Sequence, residues 1–472
     1  MESHALPGRD AASFPGTGGI NLKDIQNKLL ASVEKLFERK QFKSLKELLS
    51  TMEPADIAEV LAEKPAAERV FLFRLLPKDL AIEVFEFLEG TEREELLASF
   101  TDTEVAAIIE EMSDDDRTAL FDELPAKTVK KLLAHLSPEE RKLANALLNY
   151  PADSAGRIMT PEFIDLKESM TAAKALDRIR ATAAKKETIY TSFVVSPERK
   201  LKGTVHLEDL ILASPETAVT DLMDDLPVFV STDTDQEEAA ATMSKYDLQT
   251  IPVVDREHRL VGILTFDDIL DIVQEEATED FERMAGISPV DESYLDAAIL
   301  TLTRKRFTWL LVCIVTQLFS SFILAHYSFA LESVVALAFF IPLLTGTGGN
   351  TGTQAATLVI RGLTVGEIAK EDVYKVITKE IVSGLLLGGA LAVLASLRTW
   401  SMGTGYGVAA TVAISVAGVV MLGNLVGAFL PFVAKRFNID PAVMSGPFIT
   451  TVVDIMGLLI YFEVARRLLV LG

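Results

Sequence analysis

The sequence predicts a multi-domain protein in which an all-α helical superhelix precedes a tandem α/β pair and a five-helix α transmembrane domain. Three observations predict this order. Short amphipathic segments recur every ~12 residues near the start, two similar units of ~60 residues follow, and long apolar segments occupy the rest. We divide the chain into a flexible tail (1–23), a helical repeat domain (24–150), the tandem pair (151–275), an acidic connecting helix (276–303) and a pore-type membrane domain (304–472).

Charge is distributed unevenly along the chain. Residues 304–472 carry 12 Lys and Arg against 8 Asp and Glu, a net charge of +4, so the total of −23 leaves −27 on residues 1–303. This negative field disfavours nucleic acid or an anionic lipid surface as a partner of the front part and favours dissolved cations. Solubility alone is the other interpretation. Cys313 is the only cysteine, which excludes a disulfide framework and a thiolate metal site and suits a reducing cytoplasm.

The helical repeat domain is predicted from recurring helix-opening residues. Proline and hydroxyl residues precede short runs that place acids first and then apolar residues at helical spacing, as helix starts do. These openings are Pro54, Pro65, Pro77, Thr91, Thr101, Ser113, Pro125 and Ser137. Their repetition predicts a stack of short helices wound into a superhelix.

The tandem pair begins its two units at Ile158–Pro161 and at Leu222. Each unit continues with two strand-like runs and an acidic helix. The arrangement resembles a pair of cystathionine-β-synthase-type (CBS) regulatory domains over about residues 155–275. The resemblance implies an adenine nucleotide such as ATP as a candidate ligand, with Asp209 and Thr265 at the ribose-holding positions. In the first unit His206 replaces the family's hydroxyl residue.

An acidic stripe follows the pair. Asp268, Asp271, Glu275 and Glu279 are spaced three, four and four residues apart, which places them on one face of a helix, and Glu276 and Asp280 flank that face. Like charges at this spacing destabilise a helix, so the stripe favours bound counter-cations. A simply solvated acidic face is the alternative.

Five membrane spans are predicted, at 307–325, 333–360, 381–397, 408–434 and 443–465. Lysine and arginine concentrate in alternate loops, at 361–379 and at 435–436, which places the amino-terminal part in the cytoplasm and the chain in the plasma (inner) membrane. Five spans put the C-terminus outside, although Arg466 and Arg467 argue mildly against that side.

The second span is uncharged but contains Pro342 and the run Gly346–Gly352, with four glycines and one Asn. We expect a break in the helix here, because non-helical backbone at membrane depth is tolerated where it lines a watery cavity. Gly348, Gly349 and Asn350 would then offer carbonyl and amide oxygens to a hydrated hard cation. Close helix packing by small residues is the alternative.

Asp454 is a lone Asp in the last span, and Glu463 lies nearer the end of that span. A bare carboxylate at the bilayer centre costs at least ~2.5 kcal/mol by insertion scales, so it should face water, a cation or a proton. Mg²⁺ is usually held through one or two carboxylates with waters retained, which fits one Asp per chain or two across a symmetry axis. Pro447 and Gly457 permit backbone adjustment around this position. An Asp held by Asn or Thr side chains is the alternative.

The chain from about residue 24 to the end resembles the MgtE family of magnesium channels. The matching segments are Thr345–Gln354, Asn424–Ala428, Asp440–Ala442 and Asp454 with Gly457–Tyr461. The resemblance implies a homodimer in the lipid membrane with its pore on the two-fold axis, Asp454 as the pore carboxylate and Asp440 near the cytoplasmic mouth. Where the family often has Asn, this chain has Gly446, which affects the expected selectivity.

The resemblance also implies cytoplasmic Mg²⁺ sites and a feedback gate. Mg²⁺ bound there would close the pore through an acidic helix from Asp268 to about Leu300. The implied ligands are Glu83, Asp115, Glu237, Asp247, Asp268, Asp271, Glu276, Glu279 and Asp280; the stripe adds Glu275, and the implied pore lining adds Asn424 and Pro447.

The sequence leaves two other functions open. One is a membrane-anchored adenine-nucleotide sensor whose spans only dimerise it. The other is a proton-coupled divalent cation transporter that uses Asp454. The sequence has no recognisable catalytic constellation, so we expect a non-enzymatic protein. The sequence does not rank Mg²⁺ among Mn²⁺, Co²⁺ and Ni²⁺, since all accept oxygen ligands.

Overall fold

The computed structural model describes residues 22–88, 90–290, 294, 297–437, 439–444 and 446–470. Within these ranges, residues 22–28, 91 and 102 are described by their backbone alone. Nearly all of the predicted tail, 1–23, therefore lies outside the described residues. The chain forms two bodies. The first comprises Met1–Asp235 with Ile251–Leu264, and the second comprises Gln236–Thr250 with Thr265–Gly472.

Short helices fill the first part of the first body. In its described residues they are α1 (Leu22–Glu38), α2 (Phe42–Leu49), α3 (Pro54–Ala62), α4 (Ala66–Phe73), α5 (Lys78–Glu86), α6 (Gly90–Ser99), α7 (Asp102–Ile109), α8 (Asp114–Glu123), α9 (Ala126–His135) and α10 (Pro138–Leu147). Every predicted opening residue lies within one position of a helix start. At α7 the reason is a capping box, in which the Thr101 hydroxyl accepts the Glu104 N–H at 3.3 Å. Leu61, Phe85 and Leu120 are buried in one continuous core.

The tandem units have matching topology. Their elements are α11 (Ala155–Ile158), β1 (Asp165–Lys167), α12 (Ala172–Thr182), β2 (Thr191–Val195), β3 (Leu201–His206), α13 (Leu207–Leu212), β4 (Val230–Ser231), α14 (Gln236–Lys245), β5 (Thr250–Val254) and β6 (Leu260–Thr265). The sheets have the orders β1-β2-β3 and β4-β5-β6. In each sheet the first two strands are parallel. The predicted repeat of one α/β unit is thus confirmed.

Each unit's opening segment pairs with the other unit. Thr160 forms an antiparallel bridge with Ile263 of β6, and Asp224 forms one with Thr204 of β3. A Cβ added at Gly203 would lie 2.4 Å from the Asp224 carbonyl oxygen, so only glycine permits this approach. The two units are therefore interlocked rather than merely adjacent in sequence.

The acidic helix is shorter than predicted. It is α15 (Phe266–Met284), and the next helix, α16, begins at Ile299, so the expected helix from Asp268 to about Leu300 is wrong. Gly286 has φ +73°, and this left-handed backbone ends the helix. A Cβ there would also lie 2.3 Å from Cδ1 of Trp309, which packs against the turn.

The remaining helices of the second body are α16 (Ile299–His326), α17 (Ser328–Ser333), α18 (Ile341–Thr364), α19 (Val373–Ser401), α20 (Tyr406–Arg436) and α21 (Gly446–Leu468). Within the described residues, four helical segments are long and apolar enough to cross a membrane: Ile299–His326, Lys370–Ser401, Tyr406–Arg436 and Gly446–Leu468. The predicted count of five is not confirmed. The predicted span 333–360 is divided among α17, a 3₁₀ turn and α18. Because α18 is rich in Gly and Thr and buries one side against α20 and α21, it does not need an apolar surface all round.

Candidate functional site

The glycine-rich run is helical, contrary to the predicted break. Pro342 occupies the first turn of α18, where a missing N–H costs nothing, and the helix continues without interruption to Thr364. Its backbone carbonyls are therefore used in helical hydrogen bonds, and the expectation of carbonyls free to hold a cation is wrong.

The glycines instead permit close contact between helices. A Cβ added at Gly427 of α20 would lie 2.1 Å from the carbonyl oxygen of Gly352, and one at Gly348 would lie 2.3 Å from Val419. A Cβ added at Gly349 would lie 2.9 Å from Cγ2 of Thr450 on α21. Small residues let helix backbones approach in this way in membranes. The pore-lining role of Gly348 and Gly349 stays a prediction.

One face of α18 remains polar and exposed. Asn350, Gln354, Thr357 and Arg361 are exposed and are spaced four, three and four residues apart, so they form one stripe. Lipid would leave these groups without hydrogen-bond partners, so the face is suited to water or to another protein surface. The pore-lining role of Asn350 also stays a prediction.

Asp454 lies beside the start of the glycine-rich run. The contacts of Gly348 with Val453 and of Thr353 with Gly446 show that α18 and α21 run antiparallel. Asp454, the next residue after Val453, is therefore level with the start of the run. Its side chain is half-buried, and no described residue gives it an ion pair or hydrogen bond.

The other predicted pore residues have local roles in the structure. The Pro447 carbonyl accepts the hydroxyls of Thr450 and Thr451 at 2.9 and 2.8 Å. Asn424 is buried between α19 and α20, where its amide donates to the Glu380 carbonyl at 3.4 Å. The structure thus places Asn424 at a helix contact. A Cβ at Gly446 would lie 3.0 Å from Thr353, so a larger residue there requires that threonine to move.

An acidic cluster joins α15 to the turn before α21. Asp440 caps the 3₁₀ turn Pro441–Val443 by accepting the Ala442 N–H at 2.8 Å. Asp280 accepts the hydroxyl of Thr364, the last residue of α18, at 3.4 Å. Burial, then the charges of Asp440 and Glu276, raises the pKa of the Asp280 carboxyl. Repulsion among these acids favours a proton or a cation at this position.

The same cluster contains a cation that our sequence analysis missed. The Arg283 guanidinium forms ion pairs with Glu279 and with Asp440. Its spacing of four from Glu279 could have indicated the first pair. No local signal indicates the pair with Asp440 or the contact with Thr364, since both join residues distant in sequence.

The other predicted ligands of the second body lie on α15, on α14 and in the turn after α14. Asp268 accepts the backbone N–H of Thr265 at 3.3 Å and completes a capping box, while Asp271 and Glu275 are exposed. Glu276 accepts the amide of Gln236 at 2.7 Å, which links α14 to α15. Glu237 is exposed on α14, and Asp247 is exposed in the following turn.

In the first body, the predicted ligands Glu83 and Asp115 lie on two different helices. Glu83 lies on α5, and Asp115 lies on α8. Between these helices Glu86 accepts the Ser113 N–H at 3.1 Å. Burial, followed by the negative charge of Asp116 and then that of Glu83, raises the pKa of Glu86 to about 7. Glu86 and Asp116 are further candidates that the sequence analysis did not single out.

Of the predicted nucleotide residues, Asp209 lies just after β3, and Thr265 is the last residue of β6. Asp209 is half-buried in α13. Thr265 is buried, and its hydroxyl donates to Asp268. Across the described residues, no group of three or more His, Cys, Asp or Glu side chains is arranged to hold a metal ion.

Comparison with known proteins covers most of the chain. A family described as a divalent cation transporter (MgtE) matches residues 341–464, the MgtE intracellular N domain matches 52–153, and CBS domains match 155–216 and 219–275. The magnesium transporter MgtE of Thermus thermophilus is 41% identical over 448 residues, which cover 94% of this chain and 99% of that protein.

Two solved structures resemble the soluble part. The cytosolic domain of the Mg²⁺ channel MgtE in complex with ATP is 38% identical, with a TM-score of 0.49, and covers 52% of this chain and 99% of that one. The soluble part of a magnesium transporter is 28% identical, with a TM-score of 0.50, and covers 53% and 99%.

Proposed function

This chain belongs to the MgtE family of magnesium transporters, and we propose that its own Mg²⁺ pathway follows the polar face of α18 past the Asp454 carboxylate. The family transports Mg²⁺ and does not catalyse a reaction. The family resemblance and the CBS pair predicted from the sequence are confirmed. The soluble domains precede the apolar spans, consistent with a membrane protein whose amino-terminal part is cytoplasmic.

The observation that carries the proposal is the environment of Asp454. A half-buried carboxylate on a membrane helix, without an ion-pair partner among the described residues, requires water or a cation. Mg²⁺ dehydrates reluctantly and keeps several waters, so one carboxylate per chain suffices if the ion passes hydrated. Two copies related by a two-fold axis would supply two, so we propose a homodimer.

The polar face of α18 also supports a fifth crossing. This helix of 24 residues packs its glycines on α20 and α21 and leaves Asn350 and Gln354 exposed. A helix shielded from lipid on one side and wet on the other can cross at low mean hydropathy. We propose that α18 is the fifth span and lines the path.

Feedback by cytosolic Mg²⁺ is the proposed regulation. Glu276, Glu279, Asp280 and Asp440 bring negative charge from α15 and from the turn before α21 to one place. Mg²⁺ that binds this cluster more tightly in the closed state would favour closure. We propose further regulatory ligands at Asp268, Asp271, Glu275, Glu237, Asp247, Glu83 and Asp115. Since the described residues of one chain form no three-ligand site, waters or a second copy would complete each one.

An adenine nucleotide remains a proposed ligand of the tandem pair. We propose that Asp209 accepts a ribose hydroxyl. Thr265, the N-cap residue of α15, would do so only if its hydroxyl, which donates to Asp268, were redirected. Nucleotide binding would then act on the same helix as Mg²⁺.

The test is Mg²⁺ flux into liposomes that contain the full chain. Asp454→Asn should lower the flux at least ~10-fold, a barrier increase of about 1.4 kcal/mol. Glu463→Gln is the control, because Glu463 lies on the same helix but pairs with Arg466 and Arg467. Wild-type flux should fall as Mg²⁺ rises on the side of the soluble domains. Unchanged flux in Asp454→Asn would contradict the proposed path, and dependence on a pH gradient would indicate proton coupling.

A further inference from the structure

A groove opens on the surface of the membrane domain between α19, α20 and α21. Its volume is about 510 Å³, and its lining includes Tyr374, Ile377, Leu425, Phe429 and Val452. Apart from the tyrosine hydroxyl, the side chains that line it are hydrocarbon. Tyr374 is 79% exposed and Phe429 52% exposed, so the groove is open at the side of the helix bundle.

The groove lies at the cytoplasmic end of these helices. Tyr374 is in the first turn of α19, while Phe429 is two turns before the end of α20 at Arg436. The connections at these ends are those rich in Lys and Arg, which face the cytoplasm. The groove therefore opens towards the acyl chains of the cytoplasmic leaflet, and Tyr374 has the interfacial position that tyrosines favour.

Two exposed cations lie close in sequence to the residues that line the groove, on their cytoplasmic side. Lys370 is four residues before Tyr374, and Arg436 is seven residues after Phe429. On a helix, the spacing of seven places Arg436 on the same face as Phe429. A hydrocarbon groove with two cations at its cytoplasmic end matches the two parts of an anionic phospholipid.

We propose that this groove binds an acyl chain of an anionic phospholipid whose phosphate is held by Lys370 and Arg436. A second copy of the chain is a poorer occupant. A two-fold interface centred on the groove would bring Lys370 and Arg436 of both copies together, and like charges would repel. Val452 is two residues before Asp454 on α21, so the lipid would touch the helix that carries the proposed pore carboxylate.

Lipid binding to the full chain in detergent, measured by native mass spectrometry, tests this inference without any measurement of Mg²⁺ flux. The probes are phosphatidylglycerol and phosphatidylcholine with identical acyl chains. We expect one tightly bound phosphatidylglycerol per chain and a preference of roughly tenfold over phosphatidylcholine, in line with two cations near the headgroup. Lys370→Gln with Arg436→Gln should abolish the preference.

Two matched variants separate the parts of the site. Lys375→Gln should keep the preference, because Lys375 lies on the same helix but pairs with Asp372 at 2.6 Å. Leu425→Trp should fill the groove and weaken the binding of both lipids. Equal binding of the two lipids by the wild type, or a preference that survives the double substitution, would overturn the proposal. So would a Leu425→Trp protein that loses its dimer but keeps its lipid, since the groove would then be an interface between copies.

Discussion

Replacing Arg283 by Gln should make the transporter more sensitive to cytosolic Mg²⁺. The Arg283 guanidinium pairs with Glu279 and Asp440, two of the carboxylates that we propose as regulatory ligands. Mg²⁺ that binds these oxygens must displace the guanidinium or share the oxygens with it. Removing this tethered cation leaves the carboxylates more negative, so Mg²⁺ should bind at a lower concentration.

The size of the effect follows from the exposure of the pairs. The side chains of Arg283, Glu279 and Asp440 are 34%, 30% and 28% exposed, so the pairs are partly screened by water. Such pairs are worth roughly 0.5 kcal/mol each, within the range measured for accessible ion pairs. Two pairs give about 1 kcal/mol, which corresponds to a ~5-fold lower half-inhibitory Mg²⁺ concentration.

The assay is the liposome flux measurement repeated over a series of Mg²⁺ concentrations on the soluble-domain side. Arg283→Lys is the control, because it keeps the charge and should shift the half-inhibitory concentration by less than about twofold. A higher half-inhibitory concentration in Arg283→Gln would refute the reasoning. It would mean that the Arg283–Asp440 pair itself stabilises the closed state rather than competing with Mg²⁺.

Two further predictions concern packing and pH. Gly427→Ala places a methyl 2.1 Å from the Gly352 carbonyl oxygen and should cost about 1–3 kcal/mol, lowering the unfolding midpoint in detergent, whereas Gly389→Ala, with nothing within 4 Å, should not. Equal midpoints would show that α18 and α20 can separate freely. The folded-state pKa of Glu86 is about 7, above the 4.5 of an unperturbed glutamate, so ionising this side chain opposes folding. The stability of α5 and α8 should therefore fall by up to about 3 kcal/mol as the pH rises from 4.5 to 7. Hydrogen exchange of α5 and α8 should show this decline in the wild type and much less of it in Glu86→Gln; an identical decline in both would exclude Glu86 as its source.

Much of the architecture follows from local sequence patterns. The openings from Pro54 to Ser137 coincide with helix starts because proline and capping residues act within one turn of their own position. The two α/β units and the acidic stripe were likewise visible as repeats and spacings. The lone charge at Asp454 identified the proposed pore residue without any structure, because a carboxylate within an apolar span is costly wherever its neighbours lie.

Other features were wrong or absent in the sequence analysis because they depend on distant residues. The run Gly346–Gly352 has the composition of a loop, yet it is helical. Gly423 and Gly427 of α20 have no side chains, so the backbone of this run packs directly against theirs. The acidic helix ends early because Gly286 adopts a left-handed backbone against Trp309. Neither partner is close in sequence.

The sequence by itself determined the order of the domains, the starts of the short helices, the acidic face of α15 and the position of one carboxylate in the last span. Only the tertiary structure decided that Arg283 neutralises part of the acidic cluster, that the α/β units are interlocked, and that the glycines of α18 serve helix contact while its polar stripe stays exposed. The reason is physical. Capping, periodicity and the cost of a charge in lipid act locally, whereas ion pairs, backbone approach and burial depend on which distant segments the fold brings together.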